Sequence, residues 1–299
     1  MTPNGPNSTD LADLAWRAWT DLGVPGWKGT PVNWVIDPEA LLLLTASLGP
    51  QYPRLWLNAL DWISNHANEI AIDRVRNLHK SWPSLDHWKE FSGVLTANTS
   101  DKWPDAGPPD LKELPRTSRL TLEGPSALAL RLRTALGVNA HAEVIRVFLA
   151  HPEDTRLTVL EIAEEIAYTK RTAANVVSRM VASGLLNQRK GRYASSVALR
   201  KRHALAEVFG PVPSEHSPFL FAVRGIWQLM SILESAEKAA PAVRSIEARR
   251  GFQLARDDLV RSGFEPPSLT PESDAWEPTA LWASSILDDI LQRVTPVAA

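Results

Sequence analysis

Wound at about 100° per residue, the segment from 170 to 183 separates into two faces. Ala173, Val176, Val177, Met180 and Val181 fall on one side; Arg171, Thr172, Asn175, Ser178, Arg179 and Ala182 fall on the other. Thr169 precedes this helix as its N-cap, and Gly184 follows it at the position where a left-handed residue ends a helix. Just upstream, LTVLEIAEEIA (Leu157 to Ala167) places Thr158 three positions before Glu161, the spacing of a capping box. Leu160, Ala163 and Ile166 form its apolar stripe, and Glu161, Glu164 and Glu165 give it an acidic outer surface. Ala167 to Thr169 is the link between the two helices. After Gly184 the pattern changes: Leu185 to Arg189 predicts a strand, Lys190 and Gly191 a hairpin tip, and Arg192 to Val197 the returning strand.

Elsewhere the helical period dominates. Asp37, Pro38 and Glu39 open a helix through ALLLLTASL that stops at Gly49. A second runs from Pro53 to Asn65, with Leu55, Trp56, Leu60 and Ile63 apolar, and a third from Ala71 to Ser81. Prolines at 104, 108, 109, 115 and 125 mark a linker that holds a short predicted strand, Arg119 to Glu123. Helices from Ser126 to Leu136 and Asn139 to Ala150 then lead into the pair described above. Beyond Pro211, Pro213 and Pro218 come helices from Phe219 to Glu237, Ala242 to Ser262 and Thr279 to Arg293. The predicted fold is mainly α, with a small β-hairpin, divided as 1–105 (Trp-rich and helical), 106–137 (linker and connecting helix), 138–206 (the helix pair and hairpin) and 217–299 (a C-terminal helical region).

Composition adds four constraints. With 299 residues and 44% hydrophobic side chains, the chain can bury two or three ordinary cores. It has no cysteine, which excludes disulfides and thiolate chemistry. MTPNGPNSTD lacks a basic-then-apolar leader, and the longest apolar run, Ala40 to Leu44, is too short for a bilayer, so a cytoplasmic protein with no membrane association is expected. Nine of the twelve tryptophans lie before residue 105. Set on otherwise apolar helices, they fit core packing better than base stacking.

Charge alters the picture more. The chain carries 32 Lys and Arg against 34 Asp and Glu, yet Thr169 to His203 holds nine bases and no acid. A solvated face accounts for many charge runs. Here, however, the outward face of the 170–183 helix carries Arg, Thr, Asn and Ser, the side chains that hydrogen-bond base edges and phosphates. Two helices joined by a short turn make a helix-turn-helix, whose second helix enters the major groove, and a basic hairpin after it makes a wing.

The run LTVLEIAEEIAYTKRTAANVVSRMVASGLLNQRKGRY resembles the winged helix-turn-helix of bacterial transcriptional regulators of the ArsR and MarR kind. It shares a small Ala163 in the first helix, the Thr169 cap, Met180 near the end of the second helix, then Gly-Leu-Leu and a basic turn. The resemblance spans residues 139–203. It departs at Ala167, where many such regulators have glycine, and in the slight side chains of Ala194, Ser195 and Ser196. It implies a sequence-specific double-stranded DNA-binding regulator, a repressor acting as a homodimer. The expected DNA-binding residues are Thr169, Lys170, Arg171, Thr172, Asn175, Ser178 and Arg179 on the helix, with Arg189, Lys190 and Arg192 on the wing.

Several readings stay open. Winged helices also serve as protein-interaction modules. Arg131 and Arg133 either reach flanking phosphates or are simply solvated. The C-terminal helices either form the dimer or pack within the chain. IDPEALLLLTASLG followed by PRLWLNALDW is similar to uncharacterised bacterial proteins that accompany nucleotidyltransferase or defence genes. That likeness implies the alternative: an antitoxin or adaptor whose helical parts bind a partner enzyme. No G-x-S-x-G, Walker A loop, G-x-G-x-x-G after a strand, or H-E-x-x-H occurs, and the seven histidines lack local metal-ligand spacing. The expectation is therefore no enzyme, no cofactor and no metal.

Overall fold

The structure, a computed structural model, describes residues 8–26, 33–192, 194–214, 218–270 and 273–293. Among these residues the chain is mainly α, with thirteen α-helices and one small sheet. The N-terminal part holds α1 (Ser8–Asp21), α2 (Pro38–Leu48), α3 (Pro53–Asn65), α4 (Ile72–His79) and α5 (Trp88–Asn98). The middle holds α6 (Leu128–Leu136), α7 (Ala140–Ala150), β1 (Leu157–Thr158), α8 (Val159–Glu165), α9 (Lys170–Ala182), β2 (Leu186–Lys190), β3 (Ser195–Leu199) and α10 (Arg202–Phe209). Then follow α11 (Phe219–Ala236), α12 (Pro241–Arg261) and α13 (Trp276–Arg293).

Two apolar cores organise these elements. The first is built from α1 to α5 together with α11 to α13, so the two ends of the chain share one interior. Its centre is α2, buried on every side as an all-round apolar helix must be. The Asp37 carboxylate accepts from the Ala40 N–H at 3.1 Å, with Pro38 in the first turn, which starts the helix where the sequence predicts. Gly49 ends it at φ 74°, and a Cβ there would lie 2.3 Å from the His87 ring, so only glycine fits. The tryptophans serve this core. Trp19, Trp34, Trp56, Trp62, Trp82, Trp88 and Trp103 are buried, while Trp27 lies outside the described residues. Most of their indole N–H groups find acceptors inside, such as Trp19 to Thr45 Oγ1 at 2.8 Å and Trp62 to the Leu22 carbonyl at 2.8 Å.

The second core joins α6 to α9, the sheet and the apolar side of α10. The sheet is antiparallel in the order β1-β3-β2, with Leu157 opposite Val197 and Arg189 opposite Ser196. The hairpin pattern thus acquires a third strand, two residues long, that the sequence reading did not include. Arg119 to Glu123 is not a strand. Two backbone bonds, Arg119 N–H to Gly23 O at 3.0 Å and Thr121 N–H to Leu22 O at 3.2 Å, lay it along the α1 exit without a ladder. The proline-rich segment before it is fixed by Asp61, whose carboxylate accepts from the N–H groups of Arg116, Thr117 and Ser118 at 2.9 to 3.0 Å.

The seam between the cores is ionic. Arg74 of α4 binds the carboxylates of Asp37 and Glu39. Arg133 of α6 donates to Glu39 Oε1 at 2.7 Å and to Glu143 Oε1 at 2.9 Å, and Arg146 donates to Glu143 Oε2 at 2.8 Å. All six side chains are buried. Three guanidinium groups face three carboxylates, and burial on this scale is tolerable only with such matching. Burial alone would raise the Glu143 carboxyl, but the surrounding Arg133, Arg74 and Arg146 outweigh it and hold it well below the ordinary range. Asp37 is lowered in the same way, against its own burial, chiefly by Arg74.

This network corrects the reading of Arg131 and Arg133 as surface arginines. Arg133 is 2% exposed. Arg131 is half-buried and donates to the carbonyls of Phe209 at 2.7 Å and Leu122 at 2.9 Å. The acids that draw Arg133 inward come from α2 and α7, contacts that helical periodicity within α6 does not register.

Candidate functional site

Helix α9 is set by local chemistry. The Thr169 hydroxyl accepts from the Thr172 N–H at 3.1 Å, and Ala173, Val176, Val177 and Met180 are buried against the second core. That fixes the opposite face outward, where Lys170, Arg171, Asn175, Ser178 and Arg179 are exposed and Thr172 is partly so. Thr169 and Thr172 also bond to each other through their hydroxyls at 2.9 Å, so both are engaged in the cap.

The helix before it starts as the pattern predicts. Thr158 and Glu161 close a reciprocal capping box. Two details differ. Leu160, assigned to the apolar stripe, is 49% exposed. Glu165, assigned to the acidic outer surface, is buried with its Oε2 2.9 Å from His151 Nε2. The stripe holds at Ala163 and Ile166, which are buried, and fails at Leu160 in the first turn of the seven-residue α8.

The turn between α8 and α9 is held from outside. Arg74 Nε donates to the Ile166 carbonyl at 2.8 Å, Asn77 Nδ2 to the Ala167 carbonyl at 3.1 Å, and Arg146 to the Glu165 carbonyl at 3.3 Å. Ala167 itself sits at φ 52°, a conformation that suits glycine. A cleft of about 240 Å³ flanks this turn, lined by Asn77, Ser81, Tyr168, Thr169 and Arg224 among others. Burial pushes the Tyr168 hydroxyl up to about 12.

The hairpin carries Arg189 and Lys190 on β2, opposite Ser196 and Ser195, and Arg192 in its tip; all three are exposed. Tyr193 lies outside the described residues. Arg156 ties the hairpin down by donating to Ser196 Oγ at 3.3 Å and to the carbonyls of Ser196 and Asn187 at 3.2 Å. Of the nine bases in the segment, Arg202 is structural, donating to the Leu149 carbonyl at 2.7 Å. Arg200 and Lys201 are two exposed bases that the sequence reading did not assign to the site. They follow β3 at the base of the hairpin, where Arg200 N–H meets Leu185 O at 3.0 Å, and only their inclusion in the acid-free run signalled them.

The consecutive elements α9 and β2 thus share a trait. Among the described residues, the side chains of Lys170, Arg171, Asn175, Ser178, Arg179, Arg189 and Lys190 make no hydrogen bond or ion pair within the chain. A surface of donors with no internal acceptor can bind an extended polyanion at many points. No family model, curated protein or solved structure matches the chain. The described residues contain no group of three or more His, Asp or Glu placed to hold a metal, and no helix long and apolar enough to cross a membrane.

Proposed function

We propose that the protein is a sequence-specific double-stranded DNA-binding regulator acting as a homodimer, with α7 to α9 and the β1-β3-β2 sheet forming a winged helix-turn-helix. The observation that carries this reading is the α9 face, where Arg171, Asn175, Ser178 and Arg179 project outward, uncommitted, from a helix whose other side is fixed by packing. Arg171 and Asn175 meet base edges, since a planar guanidinium suits guanine and a carboxamide suits adenine. Arg179, Arg189, Lys190 and Arg192 meet phosphates or the adjacent minor groove. The grip of Arg74 and Asn77 on the inter-helix turn supports the reading as well, because a helix that reads bases must be held in fixed orientation.

The test is selection of bound genomic fragments by the purified protein and by a variant with Arg171 and Asn175 both changed to Ala, at two salt concentrations. A shared inverted repeat, with half-sites about one helical turn apart and lost in the variant, is the expected result. Salt-labile fragments without a common sequence would sink sequence-specific regulation and favour the alternative of an adaptor or antitoxin that binds a partner enzyme.

A further inference from the structure

Helix α12 is amphipathic in an unusual sense. The face it turns inward is built of small residues, Ala248, Gly251 and Ala255, with Leu259. A Cβ on Gly251 would lie 3.3 Å from the Ile232 and Leu229 side chains, so the approach to α11 is close and needs no bulk. The larger aliphatics point to solvent instead: Ile246 is 65% exposed, Leu254 55% and Val260 45%. A helix that keeps its small residues inside and its branched ones outside is not explained by the packing of its own chain.

Two charges on this outer face, which also exposes Arg256 and Arg261, point to what covers it. Arg250 and Asp257 are both exposed; Arg250 reaches only Glu247 on its own helix, at 3.1 Å, and Asp257 has no ion pair among the described residues. At about 1.5 Å and 100° per residue they lie almost in line, roughly 10 Å apart. Set a second α12 antiparallel to the first, with a two-fold axis passing between residues 253 and 254. Arg250 then opposes the other copy's Asp257 twice over, the two Leu254 side chains meet beside the axis, and Ile246 falls beside the other copy's Val260. A pattern that is complementary to its own reverse is the signature of an isologous interface.

We infer that the outer face of α12 binds a second copy of this chain, antiparallel and centred on Leu254. The inference rests on the dimeric part of the function proposed above but not on its DNA-binding part. The occupant is a second copy rather than a different protein because both halves of every ion pair are already present on the one helix.

Sedimentation equilibrium of the full chain between about 1 and 100 µM, without DNA, tests it. The wild type is expected to be a dimer and Leu254→Asp a monomer with an unchanged circular-dichroism spectrum. Arg250→Glu and Asp257→Arg are each expected to weaken the dimer at least 10-fold, and the double reversal to restore it, because the new pair opposes in the same way. Rescue by the double variant separates interface loss from misfolding. A monomeric wild type, a dimer untouched by Leu254→Asp, or double reversal without rescue would overturn the inference. Each of those results leaves operator selection by the α9 face standing, and a dimer without operator selection would do the reverse.

Discussion

Two sets of arginines divide this molecule. Arg74, Arg133 and Arg146 lie buried between the cores, matched to Asp37, Glu39 and Glu143. Arg171, Arg179 and Arg189 lie exposed on α9 and β2 with no carboxylate in reach among the described residues. The side chain is the same, but the surroundings are opposite. In the seam each guanidinium is turned onto the protein's own carboxylates and carbonyls, so those arginines hold elements together. At Arg171, Arg179 and Arg189 none is used among the described residues, so those side chains keep their hydrogen-bonding capacity. What distinguishes the two sets is therefore the supply of acids brought by other elements.

The largest way to break that contrast is to remove one seam cation. Arg133→Met leaves Glu39 and Glu143 buried and short of partners and should cost about 3 to 5 kcal/mol in urea unfolding. Arg179→Met or Arg189→Met should stay within about 0.5 kcal/mol of the wild type. Equal costs would mean that the two sets do not differ.

Acid sharpens the same point. Asp37 and Glu143 titrate below their ordinary values in the fold, so the unfolded chain takes up their protons first. Stability should be level above about pH 5 and fall as pH drops through about 4, with a slope of roughly 1.4 kcal/mol per pH unit for each group. Urea midpoints measured from pH 7 to pH 3 would show this. The slope should be shallower in Glu143→Gln, which is also less stable throughout.

On the exposed side, Arg171→Ala or Asn175→Ala should cost about 1 to 3 kcal/mol in operator affinity and relax one position of the site. Lys190→Ala should weaken all sequences alike and reduce the salt slope by about one unit. Neither should move the melting temperature. Fluorescence titrations at two salt concentrations, alongside a thermal melt, check both halves of the statement.

The smallest effect concerns the turn that connects the two regions. Ala167 sits at positive φ, which costs a non-glycine residue about 1 to 2 kcal/mol. Glycine would relieve that cost but returns about 0.5 to 1 kcal/mol of it through greater freedom of the unfolded chain. Ala167→Gly should therefore raise stability by about 0.5 kcal/mol in urea unfolding, without changing the Ile166 and Ala167 carbonyl contacts that hold α8 and α9 in place.

These contrasts also mark what could be read from the sequence. Features written within a few residues were legible: the Thr158 box, the Thr169 cap, the Asp37-Pro38 start and the two faces of α9. Apolar period placed α3 within its observed ends, from Pro53 to Asn65. The fate of Arg133 was not legible, because its partner Glu39 lies 94 positions away. Nor was Glu165, which is buried beside His151 at the end of α7. The strand β1 escaped because two residues carry no alternation. Of the candidate site, the helix face and the hairpin were readable from charge and period; the external clamp on the inter-helix turn, supplied by α4, was not.

The shared core of the chain's two ends has a consequence for how the protein is made. The α1 to α5 bundle lacks part of its interior until α11 to α13 arrive, and α1 packs against α13. As the ribosome delivers the chain from its N-terminus, that bundle must wait, with apolar surface uncovered, while some two hundred further residues are synthesised. The α6 to α10 unit, whose contacts are mostly nearer neighbours in sequence, can close during the wait. Maturation should thus run from the middle outward, and the delayed union of the ends should be the slow step and the interval in which chaperones are most needed.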